Sequence, residues 1–175
     1  WWVGKAIRTS VFPQAGNRGF CMSPPDALAN HADCAGILAQ TAFFSALTPQ
    51  QIRQVSRLGR IEHYPQDSHI YDLGDQAADF YVLVDGMVRF TIGLGNRQTH
   101  AGQILKRGEL FGWAALVETA QQRIAAALAI TPCTVIAING DQLLVLMDQD
   151  HTLGYRIMQQ LNALITGNLT SFASG

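Results

Sequence analysis

From Arg60 onward the chain is cut into short runs that leave no room for long helices. RIEHY, SHIYDLG, DFYVLVDGMVRFTIG, RQTHAGQIL, RIAAALAI and CTVIAI follow one another, each alternating or continuously apolar. Turn residues separate them at intervals of roughly eight to twelve, the spacing of an all-β sandwich or barrel. Asp85-Gly86 lies between Val82-Leu83-Val84 and Met87-Val88-Arg89-Phe90, the strongest hairpin signal in the chain. Gly93-Leu94-Gly95-Asn96 reads as a second turn.

Helical patterns frame this body. Ser23-Pro24-Pro25-Asp26 starts a small-residue helix that runs to about Gln40. Thr48 is an N-cap with Pro49 at the first helical position and Gln51 three residues on, so a capping box is expected. That helix places Ile52, Val55 and Leu58 on one side and is expected to stop at Gly59. After Ile138, Gly140-Asp141 leads into the short helix QLLVLMDQD, and Asp150-His151 opens the last one. Leu153, Ile157, Leu161, Leu164 and Asn168 recur there at helical spacing, and Met158, Ile165 and Leu169 widen the stripe. A terminal helix apolar on two sides packs both on its own domain and on a partner. Burial within one domain is the alternative. The resulting division is an N-terminal extension over 1–21, helices over 22–59, a β-roll over 60–139 and C-terminal helices over 140–170. Residues 22–170 then form one domain, with Met22 as the expected start. An ordinary disordered tail is the other reading of the extension.

Composition narrows the function. Hydrophobic residues make up 48% and charged residues 14%, which is the balance of a globular chain with a core. A net charge of −1 and the lack of any basic run give no electrostatic footprint for nucleic acid, so no DNA binding by this chain alone is expected. No apolar stretch has the length of a membrane span. Cys21, Cys34 and Cys133 are scattered without metal spacing, which fits a reducing compartment, and the cytoplasm is the expected location. The histidines His31, His63, His69, His100 and His151 lack the paired spacing that a metal-dependent cupin-like enzyme requires. No Ser-His-Asp or Cys-His arrangement can be drawn, so no catalytic residue, metal or enzyme activity is assigned.

One segment carries a ligand signal, GELFGWAALVETAQQRIAAALAI over 108–130. Gly108 and Gly112 allow close backbone approach, a short helix follows, and Arg123 supplies a planar fork of donors suited to a phosphate. Together with FFSALTPQQIRQVSRLGRIEHYPQDSHIYDLGDQAADFYVLVDGMVRF before it and DQLLVLMDQDHTLGYRIMQQLNALI after it, this resembles the cyclic nucleotide-binding domain of CRP/FNR-type bacterial regulators and cyclic-AMP-dependent kinases. The likeness covers about residues 43 to 170. It implies a mainly β fold with flanking helices, a double-stranded β-helix or jelly-roll with N-terminal and C-terminal helices. It implies a sensor module for signal transduction that binds cyclic AMP or another small phosphate-bearing or flat ligand. Its phosphate cassette would comprise Gly108, Leu110, Phe111, Gly112, Trp113, Ala114, Ala115, Arg123 and Ile124. It would form a homodimer through the C-terminal helix, along Leu153, Ile157, Leu161 and Leu164.

Two cassette positions depart from the family. Where F-G-E-x-A-L is usual, this chain reads Phe111-Gly112-Trp113-Ala114-Ala115-Leu116, so Trp113 replaces the glutamate that accepts from the ribose hydroxyl. An indole donates and cannot accept. Ile124 stands where the family prefers Ser or Thr. The expectation is a regulatory, non-enzymatic domain with impaired or absent cyclic nucleotide binding and a pocket plugged by Trp113. The alternatives are a ligand-free dimerisation scaffold and the N-terminal sensor fragment of a CRP/FNR-type transcription regulator, since only LTSFASG follows Asn168.

Overall fold

The computed structural model describes residues 34–94, 97–117 and 122–173. The extension over 1–21, the start at Met22, the helix start at Ser23–Asp26 and the Gly95-Asn96 turn lie outside the described residues.

Helical residues 34–39 (α1) are followed by α2 (Pro49–Ser56), which begins as its sequence dictates. Thr48 Oγ1 accepts from the Gln51 N–H, and Gln51 Oε1 accepts from the Thr48 N–H. The helix ends at Ser56 with Arg57 as its cap, and Gly59 is the first residue of a strand rather than a helix stop. A side chain at Gly59 would lie 3.0 Å from Ile136 on the strand paired with it. Glycine therefore serves strand packing there.

Eight strands follow: β1 (Gly59–Tyr64), β2 (His69–Tyr71), β3 (Asp79–Asp85), β4 (Val88–Leu94), β5 (Arg97–Leu105), β6 (Leu110–Phe111), β7 (Ala126–Ala129) and β8 (Cys133–Asn139). They form two antiparallel sheets, β1-β8-β3-β6 and β2-β7-β4-β5. This is the jelly-roll arrangement, with α3 (Gly140–Gln149) and α4 (His151–Ala173) closing the chain.

The expected hairpin at Asp85-Gly86 does not form. β3 pairs with β8 and β6, while β4 pairs with β5 and β7, so the chain changes sheets at this turn. Gly86 takes φ +96°, and a Cβ there would sit 2.5 Å from the Pro132 carbonyl oxygen. The turn packs against the Thr131-Pro132 corner, where Met87 N–H donates to Thr131 Oγ1 and Ile130 N–H donates to the Met87 carbonyl. The glycine is required, but for a roll corner.

β3 and β8 read as continuous apolar runs because both faces are covered. Tyr81, Leu83, Val135 and Ala137 face the interior of the roll with Ile70, Val88 and Phe111. Phe80, Val82, Ile136 and Ile138 face the helices, against Leu38, Phe44, Val55, Leu143 and Leu153. Each fully buried side chain of this size contributes about 1.5–3 kcal/mol. Ile157 and Leu161 complete that layer at 1% exposure, with Leu153 at 0%.

The expected dimer stripe is thus largely a core stripe. Leu153, Ile157 and Leu161 are buried in their own chain, and Leu164 packs on the same cluster. The exposed apolar residues of α4 are Tyr155, at 66%, and Met158, at 45%.

Candidate functional site

The segment 108–117 delivers a left-handed glycine, two strand residues and a single tight turn. Gly112 has φ +75° and precedes a four-residue 3-10 helix, Trp113–Leu116. The helix expected here is one turn, with the Ala115 N–H already donating to the Gly112 carbonyl. A turn this short carries little dipole, which accumulates over aligned peptides.

Arg123 is 4% exposed and firmly held. Its backbone N–H donates to the Asp75 carbonyl, and its own carbonyl accepts from the Gly74 N–H. Nη1 donates to the Gly112 carbonyl at 2.9 Å and Nη2 to the Asp79 carbonyl at 2.6 Å. The guanidinium carbon lies 4.3 Å from the centre of the Tyr71 ring and 5.6 Å from that of Tyr81. Such cation–π contacts contribute up to about 2 kcal/mol when desolvated. Nε is buried and has no hydrogen-bond partner.

Beneath the guanidinium, Tyr81 stacks on Phe111 with ring centroids 5.0 Å apart, and Tyr71 stacks on Tyr81 at 5.8 Å. Burial pushes the Tyr81 hydroxyl up to about 12, with Asp79 adding to the shift and Arg123 opposing it. Burial likewise raises Tyr71 well above the ordinary phenol value, and the Arg123 charge offsets part of that. Both phenols are therefore neutral at physiological pH.

Arg123, Tyr71 and Phe111 border a cavity of about 290 Å³. Its walls are Tyr71 from β2, Phe90 and Ile92 from β4, Phe111 from β6, Gly112, Trp113 and Ala114 from the tight turn, Arg123, Ile124 and Ala125 ahead of β7, and Ile165 from α4. Ala114 and Ala125 present almost no side chain to this space. Trp113 forms part of the wall and leaves this volume open, so the expected plug is not found.

Six of the nine cassette residues come together at the cavity: Phe111, Gly112, Trp113, Ala114, Arg123 and Ile124. Three do not. Gly108 and Leu110 border a separate cleft with Phe43, Leu105 and Leu164, because the chain turns at Gly108 onto the α4 side. Ala115 is buried against the helical core, with its carbonyl oxygen packed against Gly140. The sequence reading missed Tyr71, Phe90, Ile92, Ala125 and Ile165. Phe90 and Ile92 carried a signal, since alternation with Val88 puts all three on the inner face of β4.

Among the described residues no three His, Cys, Asp or Glu side chains gather to hold a metal ion, and no helix is long and apolar enough to cross a membrane.

A jelly-roll with a left-handed glycine turn and a buried arginine facing its cavity is the architecture of a small-molecule regulatory domain. Residues 61–150, half of the chain, match the family model of the cyclic nucleotide-binding domain, and the chain belongs to that family. Among solved structures it is similar to the catabolite activator protein of Thermus thermophilus, at 26% identity with a TM-score of 0.62. That match covers 73% of this chain and 58% of the Thermus protein. A cyclic nucleotide-binding domain from Methylobacillus flagellatus KT matches with a TM-score of 0.69 at 17% identity, over 82% of this chain and 80% of its own. The sensor domain of the transcriptional regulator DNR from Pseudomonas aeruginosa matches with a TM-score of 0.67 at 15% identity, over 80% of this chain and 93% of its own. The last two likenesses are likenesses of fold. No curated protein sequence matches the chain significantly.

Proposed function

We propose that the chain is a non-enzymatic sensor domain that keeps the family's pocket but does not hold cyclic nucleotides in the family's manner. The observation that carries this reading is the engagement of Arg123. Two of its donor groups are committed to the Gly112 and Asp79 carbonyls, and its face is committed to Tyr71. A cyclic phosphate would have to displace those contacts to meet the guanidinium as a fork. The ribose side fares no better, because Trp113 offers a donor where an acceptor is needed, and a buried unpaired hydroxyl costs about 1–3 kcal/mol. Calorimetric titration of the purified chain with cyclic AMP and cyclic GMP tests it. No heat and no rise in melting temperature are expected from folded protein, and micromolar binding of either nucleotide would overturn the reading.

The same reading makes the domain a homodimer through α4, along a seam shifted from the buried stripe. Tyr155, Met158 and Asn162 recur at i, i+3 and i+7, the spacing of a helix-pairing face. Sedimentation velocity of the wild type and of Met158→Glu is the check. The wild type is expected to sediment as a dimer and the variant as a monomer. A net charge of −1 supports a chain that acts without contacting DNA itself.

A further inference from the structure

Resting on that reading of the cavity as a ligand site, we infer that its occupant is a flat, apolar molecule that carries one carboxylate and no sugar. The body of the ligand follows from the walls. Phe90, Ile92, Trp113 and Ile165 enclose the space with ring and aliphatic carbon, and pockets of this kind bind apolar surface. Aromatic walls favour a planar guest, which they contact face-on or edge-on.

The head group follows from the charge. Arg123 is buried, yet among the described residues no carboxylate pairs with it. Carbonyl dipoles and a ring face compensate part of the cost of burying a cation, and an anion compensates far more. Nε remains as a buried N–H without a partner.

Hydrogen-bond type decides between head groups. The polar side chains on the wall are those of Arg123, Trp113 and Tyr71, of which only the Tyr71 hydroxyl can accept a hydrogen bond. An ionised carboxylate only accepts, and its few lone pairs match that small set. Sugar hydroxyls must donate as well and would be left unpaired. A phosphate dianion brings a second negative charge that the single guanidinium on the wall does not match. At the mouth, Ile124 is 60% exposed and adds no hydroxyl.

The test titrates the full chain, by calorimetry and thermal shift, with 2-naphthoate, 2-naphthamide, 2-naphthyl phosphate and cyclic AMP. Naphthoate is expected to bind and raise the melting temperature, with an affinity about tenfold above the neutral amide, a difference of roughly 1.4 kcal/mol. Arg123 also braces the fold, so the charge is probed from the mouth with Ile124→Asp, an exposed position that tolerates the change. The variant is expected to shrink the naphthoate-to-naphthamide affinity ratio severalfold while it melts as the wild type does. Equal affinity for acid and amide would overturn the assignment of an anionic head. Tighter binding of the phosphate would overturn the carboxylate. Silence from all four compounds would overturn the inference and leave the loss of cyclic nucleotide binding standing. Micromolar cyclic AMP binding would remove the reading on which the inference rests.

Discussion

Gly108 and Gly112 hold nearly the same backbone conformation, at φ +85° and +75°, in very different surroundings. An added Cβ at Gly108 meets nothing within 4 Å. At Gly112 it would lie 2.8 Å from Tyr81 Cδ2, 3.0 Å from Arg123 Nη1 and 3.1 Å from the Asp79 carbonyl oxygen. None of these neighbours can yield easily. Tyr81 stacks against both Tyr71 and Phe111, Asp79 belongs to β3, and the guanidinium is fixed by two hydrogen bonds. Gly108→Ala should therefore cost only the left-handed backbone penalty, on the order of 1–2 kcal/mol. Gly112→Ala adds overpacking of about 1–3 kcal/mol, for a total of roughly 2–5 kcal/mol.

At about 2–4 °C per kcal/mol for a chain of this size, the first variant should melt roughly 2–8 °C below the wild type and the second roughly 4–20 °C below. Urea denaturation followed by circular dichroism gives the free energies directly, with both variants and wild type in one buffer. The decisive quantity is the difference between the variants, because the backbone penalty cancels in it. Equal losses would refute the claim that Gly112 is held by Tyr81 and Arg123 and would leave it a turn glycine like any other.

Two further outcomes concern ionisable groups. Asp150 accepts from Gln51 Nε2 and from the Leu153 N–H, and these bonds hold its carboxyl below the usual 3.8. A lowered folded-state value means stability that is present above 3.8 and is lost as the pH falls below it. Asp150→Asn should accordingly lower the melting temperature at neutral pH, with the gap to wild type closing in acid, and a gap independent of pH would contradict the assignment. Tyr81, pushed up to about 12 mainly by burial, works in the opposite sense. The neutral phenol stabilises the fold fully below the ordinary value of 10.0, and that contribution fades as the pH rises toward 12. Tyr81→Phe should leave the tyrosinate absorbance gained by folded protein near the ordinary phenol value unchanged, and a reduced absorbance would mean that Tyr81 is accessible.

The features legible in the sequence are those whose physics is local. Thr48 and Gln51 satisfy each other's backbone N–H groups within one helical turn, so the capping box could be read from four residues and is found as read. The Asp85-Gly86 turn fails the same reading because only half of its physics is local. A glycine with positive φ is needed there, but β3 pairs with β8, some fifty residues later, and no neighbouring residue encodes that choice. In α4 two apolar stripes are offset by a residue or two, and the pattern alone does not say which one meets the core. The body of the domain selects Leu153, Ile157 and Leu161, and leaves Tyr155 and Met158 outside. The pocket walls on β2 and β4 were hidden for a related reason. Phe90 and Ile92 alternate as core residues do, and the cavity beside them is closed by segments distant in sequence, 111–114, 123–125 and Ile165.

Arg123 shows why register is not role. Its position in the family pattern marks it as a phosphate ligand, and chemistry permits that, since a guanidinium pairs readily with phosphate. The same five donors can also knit a fold together, and here two nitrogens tie β3 to the glycine turn while the face rests on Tyr71. A residue that braces two segments is kept whether or not a ligand ever arrives. Its Nε is buried without an acceptor, as is that of Arg89, so an unpaired Nε alone does not separate a brace from a binding group. What sets Arg123 apart is its place on the cavity wall with no carboxylate beside it among the described residues, and the proposal of an anionic guest rests on that.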